Sequence, residues 1–280
     1  MYSTSLKARA LALAFLLCAL SSCNATNILL DRTERAQNVA APKGWQRNDI
    51  STAGFRIAAW ERFRGGSDLT IYLEGDGYNW INRYTPSSDP TPVTPIVLEL
   101  AVQDPSSNGL YLARPCQYLA ARDLARCNPD FWLDRRYAPE VVAAIDQSIS
   151  EGKRRSGAQT VTLVGYSGGG ALAVLVAARR NDVRRIVTLA ANLDLTSWTN
   201  YHDAPLYGSL DPAAVARDVA RVPQVHMIGT DDAIVPRLVT DAYMRKLGAP
   251  ATARVVELKF SHTCCWVRDW PDLLRRYVYN

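Results

Sequence analysis

The chain has 280 residues, 48% hydrophobic and 21% charged, with a formal net charge of +5. That is the composition of a soluble globular protein with room for one full core and hardly for two. Its positive excess is scattered in pairs such as Arg135-Arg136, Arg154-Arg155, Arg179-Arg180 and Arg184-Arg185, which read as solvated helix ends; no basic stripe interleaved with aromatics points to nucleic acid.

At the N-terminus, Lys7 and Arg9 precede the apolar run Ala10 to Leu20, and Ser21, Ser22 and Cys23 follow. The run is too short to span a bilayer and suits the core of a secretion signal. Leu20-Ser21-Ser22-Cys23 resembles the lipobox of bacterial lipoproteins, which implies cleavage after Ser22 and lipidation of Cys23. Asn24 stands where an aspartate marks retention at the inner membrane, so the resemblance implies the outer membrane. The other reading is a plain secretory signal cut near Ser22, and both imply export. The expected organisation is a signal peptide over 1–22, a lipidated tether and irregular lead-in over 23–50 with a small strand at Ile28 to Leu30, and one α/β domain over 51–280.

Strands are predicted at Phe55 to Trp60 and Asp68 to Leu73, separated by the turn residues Gly65 and Gly66. EGDGYNW, Glu74 to Trp80, comes next. The Pro-rich loop Tyr84 to Pro95 leads to a helix starting at Ile96 and a strand at Gly109 to Ala113. Cys116 and Cys127 flank a short polar helix, Leu119 to Arg126, and in an exported protein a disulfide between them would staple this loop. Cys264 and Cys265 are adjacent, and three states stay open for them: a vicinal disulfide, free thiols, or cross-pairing with the first two. Phe131 to Arg136 is expected to be irregular. Pro139 to Gly152 is predicted helical, with Pro139 in its first turn and Val141, Val142, Ile145 and Ile149 on one face.

The run Thr160 to Val164 leads into GYSGGG, Gly165 to Gly170, and an apolar helix follows. A strand ending there and a helix starting just past Ser167 would force a sharp turn that holds the hydroxyl out. Gly165 and Gly169 relieve the crowding of that turn. Beyond it, strands are predicted at Arg185 to Ala191, Val225 to Ile228 and Ala253 to Phe260, and helices at Asp211 to Val219, Arg237 to Leu247 and Trp270 to Tyr277. Asn192 to Leu210 reads as an irregular insertion holding Trp198, Tyr201, His202 and Tyr207. Near-continuous apolar strands separated by helices predict a mostly parallel sheet covered on both faces, with antiparallel strands only at the start.

Strand, nucleophile turn, helix, then an acid and a histidine after later strands resembles the α/β-hydrolase superfamily over roughly Phe55 to Val278. The resemblance implies a central sheet flanked by helices with a small cap-like insertion, and a triad in the order serine, acid, histidine. Ser167, Asp232 in GTDDAIVP and His262 in FSHTC occupy those places, with Asp231 as a rival acid. A base within hydrogen-bond reach is what makes a serine hydroxyl nucleophilic, and a carboxylate fixes the tautomer of that base. Two oxyanion donors are expected, the N–H of Gly168 and that of Asp76, because EGDG resembles the HGGG-type turn of the family. The carboxylate of Asp76 departs from that pattern and must point away, into hydrogen bonds that brace the loop.

Tyr166, Trp80, Trp198 and Tyr201 are candidates for a partly apolar substrate pocket. His226, inside a strand, is expected to be packing, and His202 to shape the pocket at most. No cofactor and no metal is expected, since the three histidines are far apart without cysteine or histidine neighbours at ligand spacing. The expected activity is cleavage of a small-molecule carboxylic ester or thioester through an acyl-enzyme. A peptidase or amidase on the same triad, and a silent envelope lipoprotein on the same scaffold, are the alternatives.

Overall fold

The structure is a computed structural model that describes residues 31–279 except 83, 107 and 249–251. The signal peptide, Cys23 and the strand expected at Ile28 to Leu30 lie outside the described residues. Eight strands form one sheet: β1 (Gln46–Arg47), β2 (Ala59–Phe63), β3 (Asp68–Leu73), β4 (Asn108–Leu112), β5 (Thr160–Tyr166), β6 (Val183–Leu189), β7 (Gln224–Gly229) and β8 (Ala253–Leu258). Their order across the sheet is β1-β2-β4-β3-β5-β6-β7-β8. Only β2 runs against its neighbours, pairing antiparallel with β1 and with β4; from β4 to β8 every pairing is parallel.

Alternation along the strands builds two cores, since successive side chains point to opposite faces. Leu69, Ile71 and Leu73 of β3 join Val161 and Leu163 of β5 in one cluster, whereas Tyr72, Val164 and Tyr166 belong to the other. The first face is covered by Pro139–Ser156 and Gly168–Ala177, the second by Arg32–Ala40, Ile96–Ala101 and Trp266–Leu273. At the start of β3, Asp68 accepts from the hydroxyls of Thr160 at 2.7 Å and Thr162 at 2.9 Å, which pins β3 to β5 in this register.

Three expectations need correction. The described part of the lead-in is not irregular: Arg32–Ala40 is helical, capped by the Asp31 carboxylate, and buries Ala36 and Ala40, while Trp45 packs over Gly109 of β4. The domain therefore begins before residue 51. The insertion after β6 holds a helix, Leu195–His202, capped by Asp194. Antiparallel pairing is not confined to the start either, because Trp80–Asn82 and Thr85–Pro86 pair as a small antiparallel hairpin in the loop after β3.

Candidate active site

β5 ends at Tyr166 and a helix begins at Gly168, leaving Ser167 alone to turn the chain. Ser167 takes φ 51° and ψ −122°, a conformation that costs a non-glycine residue about 1–3 kcal/mol and persists only where neighbours over-determine it. Here its N–H donates to Leu189 O at 2.9 Å, and its carbonyl accepts from Gly170 N at 3.0 Å and Asn192 N at 3.3 Å. A side chain at Gly165 would strike the backbone of Gly169, and one at Gly169 would strike the carbonyls of Leu73 and Glu74. Both glycines are thus required by close backbone approach, and Ser167 is 8% exposed at the mouth of the turn.

The chain after β8 brings His262 to this serine, with Nε2 3.1 Å from Ser167 Oγ. Its Nδ1 lies 2.9 Å from Asp232 Oδ2, and a proton on Nδ1 facing the carboxylate leaves Nε2 to accept from the hydroxyl. Asp232 is held in turn by the N–H groups of Ile234 at 2.8 Å and Val235 at 2.9 Å, both on Oδ1. Its side chain is fully enclosed, at 0% exposure. Asp231 is exposed and, among the described residues, accepts from the hydroxyl of its neighbour Thr230 at 3.3 Å. The imidazole backbone is anchored from the other side, because the carbonyl of His262 accepts from Tyr166 Oη at 2.8 Å and Trp266 Nε1 at 2.9 Å.

The turn after β3 lies against this pair. A Cβ built on Gly75 would stand 3.5 Å from Cβ of Ser167. The N–H of Gly75 donates to the Glu74 carboxylate at 2.9 Å. Gly168 opens its helix, whose first-turn donors have no partner within the helix. The side chain of Asp76 is clamped: Oδ1 accepts from Arg114 at 2.8 Å, Oδ2 from Arg136 at 3.0 Å, and Tyr137 Oη lies 2.9 Å from Oδ2. Burial would raise this carboxyl, yet the charges and hydrogen bonds of Arg136 and Arg114 outweigh it and hold it below its ordinary value. Gln117 adds a second grip, with Nε2 3.3 Å from both Gly75 O and Asp76 O.

The bracing of the Asp76 carboxylate is as the sequence implied, but the arginines that do it were missed. Arg136 is 7% exposed, not solvated at a helix end, and Arg180 is likewise enclosed between Asp146 and Asp182. An arginine pair carries no local mark of a carboxylate 60 residues away. Glu74 was also missed as a buried acid: it accepts from Tyr111 Oη at 2.8 Å, and burial pushes it up to about 7 against those hydrogen bonds and the charge of Arg114. Asn192 is a third, buried beside Ser167, with its amide nitrogen 3.3 Å from Tyr137 Oη.

Of the candidate pocket residues, Tyr166 adjoins the site, with its ring 5.2 Å from that of His262. Trp198 reaches the acid loop, donating to Ile234 O at 2.8 Å, and His202 Nε2 lies 2.8 Å from the same carbonyl, so the inserted helix is pinned there. Trp80 and Tyr201 are 39% and 52% exposed. His226 is inside the sheet between Thr188 and Gln224, and burial lowers it to about 3. Disulfides join Cys116 to Cys127 and Cys264 to Cys265. Two surface hollows of 510 and 400 Å³ are lined by Asp146, Glu151, Lys153, Arg154 and Arg180 among others, beside the amino ends of the strands and away from Ser167.

No family model matches the chain, and no curated protein matches it. Solved structures do. The Pyrococcus furiosus esterase Pf2001 superposes with a TM-score of 0.58 at 11% identity, over 84% of this chain and 90% of that one. A putative dienelactone hydrolase from Klebsiella pneumoniae gives 0.59 at 18%, over 84% and 98%. An acylaminoacyl peptidase from Pyrococcus horikoshii gives 0.58 at 13%, over 78% of this chain but 37% of that one. At such identities the likeness is one of fold, and the fold is that of the α/β-hydrolases, a mostly parallel sheet flanked by helices, with insertions.

Proposed function

We propose that the protein is a serine hydrolase that cleaves carboxylic esters or thioesters. Ser167 is the nucleophile, His262 the base, Asp232 the acid that orients it, and the N–H groups of Gly168 and Asp76 the oxyanion donors. One observation carries the reading: a serine held at positive φ at a helix start has an imidazole nitrogen 3.1 Å from its hydroxyl, and the other ring nitrogen is 2.9 Å from an enclosed carboxylate.

The chemistry follows from these distances. As Ser167 Oγ forms its bond to the acyl carbon, its proton passes to His262 Nε2, and Asp232 stabilises the imidazolium. The carbonyl oxygen becomes an alkoxide facing oriented donors, which act at full strength because the elbow needs no rearrangement to present them. Collapse breaks the bond to the leaving oxygen or sulfur, which takes the proton from Nε2 and departs as alcohol or thiol. Water then attacks the acyl-enzyme, giving its proton to His262 Nε2; collapse breaks the bond between the acyl carbon and Ser167 Oγ, which takes that proton back, and the acid is released. The aspartate at a donor position is compatible with a developing anion because Arg114 and Arg136 surround its carboxylate. We also read the chain as exported and lipidated at Cys23, on the motif around that residue.

A fluorophosphonate probe tests this reading. It should label Ser167, and a short-chain aryl ester should be hydrolysed above the buffer blank. Ser167→Ala should abolish labelling and lower kcat by about 10⁴-fold or more. A folded Ser167→Ala protein with unchanged turnover would remove the mechanism, and thioester and amide substrates on the same preparation define the acyl class.

A further inference from the structure

Exposed apolar side chains are unevenly placed on this molecule. Among the described residues ten large ones are exposed, and nine of them, from Trp80 to Leu238, lie on connections leaving the carboxyl ends of β3, β6 and β7. That is the edge of the sheet that carries Ser167; only Tyr279 lies elsewhere. Foremost is the hairpin Trp80–Asn82 with Thr85–Pro86, where Trp80 is 39% and Ile81 55% exposed, a few residues past Asp76. Apolar surface gathered on one face marks an interaction site, and tryptophan at its margin suits the boundary between lipid and water.

A second observation says what covers it. The described chain begins beside this hairpin: Arg32 donates to Thr91 O at 2.6 Å and Asp89 O at 3.1 Å, with its guanidinium 5.0 Å from the centre of the Tyr78 ring. Arg35 donates to Val93 O at 2.9 Å. The first helix is therefore fastened to the same connection that carries the hairpin. Cys23 precedes Asp31 by only seven intervening residues. A chain of that length reaches at most about 29 Å, whereas a domain of this size is about 45 Å across. A lipid on Cys23 thus holds the membrane on the hairpin's side.

We propose that the edge bearing Ser167 docks on the bilayer that anchors Cys23, with Trp80 and Ile81 entering the headgroup region, so that the site takes acyl esters presented at a lipid surface. This rests on the readings of Cys23 as lipidated and of Ser167 as nucleophile.

The test uses the full chain in vesicles of phosphatidylethanolamine and phosphatidylglycerol. A fluorophore is attached at Ile81→Cys or, on the opposite edge, at Gln159→Cys, and brominated acyl chains serve as quencher. Strong quenching at position 81 and little at 159 is expected; no quenching at 81, as a protein partner would give, or equal quenching at both overturns the proposal. Separately, Ile81→Glu should slow hydrolysis of a long-chain ester embedded in the vesicles about tenfold, the loss expected from keeping one large apolar side chain out of lipid. Hydrolysis of a soluble short-chain ester should be unchanged, and equal effects on the two substrates would refute the docking. A wild type inert on the soluble ester would defeat the hydrolase reading instead, and an unmodified Cys23 the lipid reading, while the quenching experiment still decides the face.

Discussion

At the scale of single residues, two adjacent aspartates separate by environment. Asp232 is enclosed and divides its oxygens between two backbone N–H groups and His262, while Asp231 faces water. Asp232→Asn should lower kcat by about 10³- to 10⁴-fold by presenting an amide to the imidazole, as loss of the orienting acid does in such triads. Asp231→Asn should change it less than about threefold, because a surface charge does little at a dry site. Equal losses in kinetics of the two variants would reassign the acid. A second residue-scale prediction concerns pH. Glu74 titrates near 7, so between its ordinary 4.5 and about 7 the folded state keeps a proton that the unfolded chain releases, and stability falls as pH rises through that window. The loss is on the order of 3 kcal/mol. His226 acts oppositely: burial lowers it from 6.5 to about 3, so stability rises with pH until about 6.5. The two slopes oppose each other between 4.5 and 6.5. Glu74→Gln should therefore steepen the rise below pH 6.5 and abolish the decline toward 7, read by urea unfolding from pH 4 to 8; an unaltered pH profile would show that Glu74 is not the group responsible.

At the scale of elements, the turn after β3 depends on its neighbours more than on its own residues. Arg114 and Arg136 have side chains only 4% and 8% exposed, and both point at Asp76. Asp76→Asn leaves two enclosed cations without a counter-charge, and removing one partner of a buried ion pair costs about 3–5 kcal/mol. We expect a loss of that size in chemical denaturation together with a lower kcat, since in the proposed mechanism the same residue would offer its N–H to the substrate; a variant as stable as the wild type would mean that the clamp is dispensable. The loop after β4 supplies the other grip, Gln117, next to Cys116. The Cys116–Cys127 bridge closes a short loop, for which the chain-entropy estimate is about 2–3 kcal/mol at most. The double serine variant should lose up to that much stability and some kcat, with little change in KM for a soluble ester, because the grip acts on the donor loop and not on the pocket walls. Peptide mapping without reductant checks the bridge itself.

At the scale of the whole molecule, the domain boundary is a packing question. Ala36, Ala40 and Trp45 are all 0–1% exposed and complete the core under Ile96–Ala101 and β4. A chain begun at Ser51 would uncover that apolar surface and should aggregate or melt far below the full domain, while one begun at Asp31 should unfold at the same temperature as one begun at Cys23. Scanning calorimetry of the two truncations separates these outcomes, and equal melting temperatures would show that the first helix is a tether after all.

What the amino-acid order determined by itself was whatever depends on neighbours in the chain. Apolar alternation over Asp68 to Leu73 and Thr160 to Val164 specifies strands, because a period of two puts those side chains on one face, and Pro139 marks the start of its helix by its fixed φ. The glycines at 165 and 169 likewise announce a tight turn at Ser167, since any side chain there meets backbone. The tertiary structure alone decided matters of convergence. Which of two neighbouring aspartates meets the imidazole depends on the path of the acid loop, which Trp198 and His202 pin from another element. That Arg114 and Arg136 enclose Asp76, and that Arg32 fastens the chain's start to the hairpin loop, joins residues 38, 60 and up to 59 positions apart. Such contacts leave no local signature, because an arginine's sequence neighbours are the same whether its guanidinium ends in water or against a buried carboxylate.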